Sequence, residues 1–299
     1  MTGSALAPIL AEFIGTGIPA NIALMRLMMA AESPGEVAAA IDAIAAADPV
    51  QQRRLEQIRL LLAGNAGAFA TIRAVMAQAE HDRAPDATPD AVAHWAGVFD
   101  RLARMAPEAG VALYALGSPD LLRDATGEVV ALMRGWGLVG PDNVLLEIGC
   151  GIGRLSLALA PFMQAVIGLD VSGEMVAEAG RRGRGRANAS FRQTGGRDLA
   201  GIPDDSIDVV LAADVFPYLV AAGDGLARRH VEEAARVLQP GGALLILNYS
   251  YRGDDTADRA EVATLFAASG VTVERLGTRD LALWDAAAFL GRKPSRSGT

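Results

Sequence analysis

Glycines at 149, 151 and 153 stand two residues apart. They follow the apolar run Val144-Leu145-Leu146 and precede Leu155, Leu157 and Leu159, which sit among small residues that suit a helix. Glycines at this spacing let the chain turn sharply and let a ligand lie against bare main chain. A helix start beyond the turn offers unpaired N–H groups. Glu147 stands just before the turn, and Asp170 ends the next apolar run, Ala165-Val166-Ile167-Gly168-Leu169. A carboxylate at the tip of a second strand can accept both hydroxyls of a ribose. Together these residues read as a strand, loop and helix that hold a polar small molecule. Cys150 lies inside the turn and is the only cysteine, so no intrachain disulfide forms. It suits the turn as a small packing residue rather than as a nucleophile.

The spacing bears on which molecule is held. A dinucleotide loop reads G-x-G-x-x-G, and counted from Gly149 its last glycine falls on Arg154. The pattern here is E-x-G-x-G-x-G, with Asp170 ending the second strand. This pair of features resembles the class I S-adenosylmethionine-dependent methyltransferases, from about Gly135 to the C-terminus. A second match is Arg236 followed by the stop Gln239-Pro240-Gly241-Gly242 and the apolar run Ala243 to Leu247. A third is a closing pair of strands, Val271 to Leu276 and Ala286 to Leu290.

The resemblance implies an α/β fold, a doubly wound, seven-stranded, mostly parallel sheet preceded by an all-helical N-terminal domain. It implies S-adenosyl-L-methionine as cofactor. Glu147, Gly149, Cys150, Gly151 and Gly153 would cradle the methionine part, and Asp170, followed by Val171, would hold the ribose. Arg197, Asp198 and Leu199 would flank the adenine. The family's usual acidic residue directly after the glycine is absent, since Gly196 or Arg197 falls there. Asp214 would end the fourth strand beside the cofactor, and Tyr114 would come from a segment that folds over it.

Candidates for acceptor-side chemistry are Asp214, Tyr218, Tyr249, Tyr251 and His230. His230 is expected as a surface residue on the helix before the fifth strand. Methyltransferases of nucleic-acid amino groups carry an acidic or amide residue, two prolines and an aromatic at the end of the fourth strand. Asp214-Val215-Phe216-Pro217-Tyr218 is one residue longer and has one proline. The net charge of -8 also disfavours nonspecific binding to nucleic acid or an anionic membrane. A small-molecule acceptor is expected, with oxygen, nitrogen and carbon all open as the methylated atom. No metal centre is expected. Two alternatives stand beside this reading: a nicotinamide-dependent oxidoreductase, and a non-catalytic subunit that binds S-adenosylmethionine.

The elements that must position these residues follow a helical region, 1–105. Ser33-Pro34-Gly35-Glu36 and Asp48-Pro49 are helix starts, with a capping residue before proline at the first helical position. Thr88-Pro89 starts another helix, in which Val92, Trp95, Phe99 and Leu102 recur at spacings of three and four. The methionines at 25, 28, 29 and 76 suit a helical core. This region either pairs two copies in a homodimer or lids the pocket, and residues 106–299 form the methyltransferase-like domain. No apolar run approaches the roughly 18 residues of a membrane span. No basic residue precedes Arg26, so a signal-peptide charge is lacking and a cytoplasmic protein is expected.

Overall fold

The computed structural model describes residues 3–16, 18–79, 90–223 and 225–295. The helix start expected at Thr88-Pro89 lies outside them. The chain divides into two compact units. One takes the chain up to His81, Arg101–Glu128 and Leu281–Asp285. The other takes Asp82–Asp100, Val129–Asp280 and the chain from Ala286 onward.

The first unit is helical. It contains α1 (Gly3–Thr16), α2 (Ala20–Ala30), α3 (Pro34–Asp42), α4 (Pro49–Gly64) and α5 (Ala68–Ala79). The following helix, α6 (Ala91–Met105), runs from the second unit into the first, and α7 (Pro107–Val111) completes the set. The expected starts form as the sequence dictates. Ser33 Oγ accepts from Glu36 N at 3.2 Å, and Asp48 Oδ1 accepts from Val50 N and Gln51 N at 2.7 and 2.9 Å. Each such cap contributes about 1 kcal/mol. Leu6, Leu10, Phe13, Leu24, Leu27, Met28, Ile41, Leu55 and Ile58 are buried in one core. Burying side chains of this size contributes roughly 1.5–3 kcal/mol each. Met28 is therefore a core residue, with Met25, Met29 and Met76 packed against the same cluster.

The second unit is built on seven strands: β1 (Val144–Ile148), β2 (Ala165–Asp170), β3 (Ala189–Gln193), β4 (Ile207–Ala213), β5 (Leu238–Leu247), β6 (Thr272–Thr278) and β7 (Ala288–Arg292). Their order is β3-β2-β1-β4-β5-β7-β6. β7 pairs antiparallel with both β5 and β6, and the other pairings are parallel. The last two strands run two residues further along the chain than the sequence suggests, because their ladder continues to Thr278 opposite Ala288. Helix α8 (Pro119–Gly135) runs from the first unit into the second, and α9 (Arg154–Leu159), α10 (Gly173–Arg182), α11 (Phe216–Ala222), α12 (Leu226–Val237) and α13 (Asp255–Ala268) accompany the strands. Leu145, Leu146, Val210, Leu211, Leu244 and Leu245 are buried, as in a parallel sheet covered on both faces.

Strand order reverses between β1 and β4. In open α/β sheets a ligand crevice lies at such a point, outside the carboxyl ends of the strands. Gly149 follows β1 there and Asp214 follows β4.

Candidate functional site

The glycine turn is held to β2. Gly149 N and Cys150 N both donate to Leu169 O, at 2.8 and 2.9 Å. Gly149, Gly151 and Gly153 have φ of 70°, 52° and 76°, a left-handed region that side chains resist. A Cβ on Gly149 would stand 2.8 Å from Val215, so this glycine also lets the turn lie against the segment after β4. Cys150 is buried, and burial pushes its thiol well above the usual range, which agrees with a packing role.

Two carboxylates bracket the turn from beneath. Asp170 Oδ2 accepts from Gly151 N at 2.8 Å, and Oδ1 accepts from Ser172 N at 2.8 Å. Burial raises the Asp170 carboxyl against the pull of these N–H groups. The cap of α10 is Ser172, whose Oγ accepts from Met175 N at 3.1 Å, so Asp170 is free of that duty. Glu147 is buried and its Oε2 accepts from Ser156 N at 2.9 Å and from Ser156 Oγ at 2.5 Å. Burial pushes its carboxyl up to about 7, against the opposing pull of Ser156 and Arg154. The helix-start N–H groups expected to face a ligand are thus partly occupied: the one on Ser156 is bound to Glu147.

Past β2 and β3 the chain presents an apolar contact at Val171 and Gly196. A side chain on Gly196 would overlap Val171 and would stand 2.8 Å from Val92 of α6. Asp100, about two turns further along α6, accepts from Ser172 Oγ at 2.6 Å and Glu174 N at 3.1 Å. Sequence reasoning placed α6 in the helical domain and missed this role. The period-three and -four apolar pattern marks a buried face but does not say against what.

Arg197 pairs with Asp90 at 3.0 Å. Asp198 accepts from Ala200 N at 3.1 Å and lies 3.6 Å from Arg229. The Leu199 side chain is in the core, and its N–H donates to Glu233 at 3.1 Å. Tyr114 lies in the helical unit, where its ring is buried and stacks on Trp284 at 5.2 Å.

The acceptor-side candidates separate into two groups. Asp214, Tyr218 and Tyr251 come together: Tyr251 Oη donates to Asp214 Oδ1 at 2.6 Å, and the two tyrosine rings meet edge-on at 6.0 Å. Trp95 and Phe99 of α6 pack on Tyr218, at 4.7 and 5.2 Å. Burial of the hydroxyl ends first, then the Asp214 charge, pushes Tyr218 and Tyr251 up, although the rest of the Tyr251 side chain is exposed, so both hydroxyls stay protonated. Tyr249 and His230 lie elsewhere. Tyr249 is a core residue between Phe216 and Phe289, with its hydroxyl on Glu261 at 2.8 Å. His230 is buried, not on the surface: it faces inward on α12 with Nδ1 2.9 Å from Leu226 O, and burial lowers its pKa. The amphipathic turn of α12 explains the error, since Ala227, Val231 and Ala234 share that inner face.

The donor set fits S-adenosylmethionine. It offers two buried carboxylates for an ammonium and a diol, bare glycine backbone between them, and an apolar face for a flat base. Against the dinucleotide alternative stands the glycine spacing, in which Arg154 occupies the place of the last glycine of G-x-G-x-x-G.

The family described as a methyltransferase domain matches residues 146–246. An uncharacterised methyltransferase of Bacillus subtilis is 32% identical over 136 residues, covering 45% of this chain and 51% of that protein. A ribosomal RNA large subunit methyltransferase G of Streptomyces avermitilis is 33% identical over 116 residues, covering 38% and 30%. A 2-methyl-6-phytyl-1,4-hydroquinone methyltransferase of Synechocystis is 28% identical over 145 residues, covering 46% and 44%. The chain thus spans about half the length, or less, of these relatives. In fold it is similar to the magnesium protoporphyrin IX methyltransferase of Synechocystis, with a TM-score of 0.52, 19% identity, and coverage of 69% of this chain and 99% of that one.

Residues 146–246 match the methyltransferase-domain family, and the strand order is the one that the resemblance to class I S-adenosylmethionine-dependent methyltransferases implies. S-adenosyl-L-methionine is the cofactor that this resemblance implies.

Proposed function

We propose that this protein is a methyltransferase that acts on a small-molecule acceptor. The observation that carries the reading is the pair of buried carboxylates, Glu147 and Asp170, on either side of a glycine turn at the sheet's switch point. Asp170 would hold the ribose hydroxyls while keeping Gly151 in place. Glu147 would face the methionine ammonium through the turn. Val171 and the Gly195-Gly196 backbone would border the adenine, with Asp198 nearby. When bound, the cofactor supplies an already activated methyl group, so the chain's own work is orientation and proton removal. Orientation alone can contribute about 7–11 kcal/mol. Asp214, with an oxygen turned toward Tyr251, is the group placed to take a proton from an acceptor.

The acceptor's small size is supported by charge and by the site's cover. The net charge of -8 is unfavourable for a polyanion, and α6 lies over the strand ends within this unit. A ribosomal RNA methyltransferase among the relatives makes nucleic acid the competing acceptor. Among the described residues no single helix is long and apolar enough to cross a membrane. A cytoplasmic setting is our reading, consistent with that.

Calorimetry with S-adenosylhomocysteine and with NAD tests the assignment. S-adenosylhomocysteine should bind and raise the melting temperature, as a ligand of the native state must. Binding of NAD in its place would end the methyltransferase reading. Methyl transfer to ribosomal RNA, without transfer to any small molecule, would remove the small-acceptor part alone.

A further inference from the structure

The acceptor side of the crevice already holds a ring with a hydroxyl, and that ring belongs to the chain. Tyr251 sits in the bend after β5 with 58% of its surface exposed, yet its hydroxyl reaches inward to Asp214 at 2.6 Å. Its neighbours are pinned. Ser250 Oγ donates to Asp258 at 2.7 Å, and Arg252 pairs with Asp258 and Glu261, both at 2.6 Å. The backbone on each side is therefore fixed, and the exposed side chain can leave by rotation about its own bonds, a motion that surface residues make in picoseconds to nanoseconds. What remains is a slot with a carboxylate oxygen at its base and the Tyr218 ring as a wall, backed by Trp95 and Phe99. Asn248 Nδ2 donates to the same Asp214 oxygen at 3.0 Å and keeps it aimed.

Building on the methyltransferase reading, we infer that the acceptor is a planar aromatic ring bearing a hydroxyl, and that it displaces the Tyr251 phenol from Asp214 and Tyr218. The slot is shaped and hydrogen-bonded for that group because a phenol fills it in the free protein. Edge-to-face packing on Tyr218 favours an aromatic ring over an aliphatic one. The acceptor O–H gives its proton to Asp214, which releases it to water. The oxygen's electron pair forms the new O–CH3 bond as the S–CH3 bond breaks, and sulfur keeps that bond's pair as a neutral thioether. Tyr251 acts as an internal competitor that the acceptor must displace.

The test uses the full chain saturated with S-adenosylhomocysteine and titrates 4-ethylphenol, ethylbenzene and cyclohexanol by ligand-observed NMR. The phenol should bind most tightly. Tyr251→Phe removes the competing hydroxyl and should tighten the phenol by about 3–10-fold, since apparent affinity scales with the fraction of competent protein. Asp214→Asn should weaken it by a similar factor. If S-adenosylhomocysteine does not bind, the methyltransferase reading fails and takes this inference with it. If it binds but the phenol shows no advantage over ethylbenzene and cyclohexanol, the inference alone is overturned. Unchanged or weaker phenol binding by Tyr251→Phe would also overturn it.

Discussion

Asp214 and Asn248 end adjacent parallel strands, both with left-handed backbone (φ 61° and 64°), and the Asn248 amide donates to Asp214 Oδ1 at 3.0 Å. Left-handed non-glycine residues are uncommon and cluster where function holds them. Asn248 also accepts from Ala287 N at 3.1 Å, so one side chain ties the end of β5 to the approach to β7 and to the acceptor-side carboxylate.

Asn248 should therefore show two separable effects. Asn248→Gly keeps the backbone at ease and loses the side-chain bonds. Asn248→Ala loses both, and should be about 1 kcal/mol less stable than the glycine variant. Denaturant unfolding of the pair measures the difference. Equal stabilities would mean that the turn relaxes when the amide is gone.

Asp170→Ala should weaken S-adenosylhomocysteine by about one to two orders of magnitude, at roughly 1.4 kcal/mol per tenfold. It should also lower the melting temperature, because Gly151 N and Ser172 N lose their acceptor, a loss of about 1–3 kcal/mol where such groups stay buried. Calorimetry and thermal unfolding read the two effects. A lowered melting temperature with unchanged affinity would leave Asp170 as a turn clamp and remove its ribose role.

Glu147 predicts a pH dependence. Its carboxyl is raised from an ordinary 4.5 to about 7, chiefly by burial. The folded form thus keeps a proton that the unfolded chain has released between those values. This contribution to stability is fully present below the unfolded value and declines as pH rises toward the folded one. A ligand ammonium beside Glu147 favours the ionised form. S-adenosylhomocysteine binding near pH 6 should then release a fraction of a proton, about half or more. Calorimetry in two buffers of different ionisation enthalpy measures it, and Glu147→Gln should abolish it. No proton release from the native protein would place the ammonium elsewhere.

Gly149→Ala should be costly for two reasons. The backbone is left-handed, which costs roughly 1–2 kcal/mol for an L side chain. The new methyl would stand 2.8 Å from Val215. Val215→Gly removes both Val215 atoms that would stand 2.8 Å from the new methyl, so Gly149→Ala should cost less in that background than in the native one, with the backbone part remaining. Chemical denaturation decides it, and purely additive losses would show that the two residues do not press on each other.

The sequence by itself determined the local pieces. The run ending in Glu147, the glycines at 149, 151 and 153, and Asp170 after an apolar strand specify strand, turn and acid through short-range rules, and all stand at one end of the sheet. Ser33 and Asp48 began their helices for the same reason, since a cap depends on residues two or three positions away. Only tertiary structure decided the rest. Tyr249 and Tyr251 are two residues apart and both aromatic, yet one fills the core and the other reaches Asp214. In a strand, residues two apart would share a face, but β5 ends at Leu247 and the chain leaves the pleat, so the turn beyond it and not the strand period sets where each ring goes. His230 was misplaced because a polar ring on an amphipathic helix gains a buried seat when a carbonyl, here that of Leu226, lies within reach. The role of α6 was invisible for a related reason. Its apolar spacing predicts that Val92, Trp95 and Phe99 are covered, but only the assembled sheet supplies Tyr218 and Gly196 to cover them.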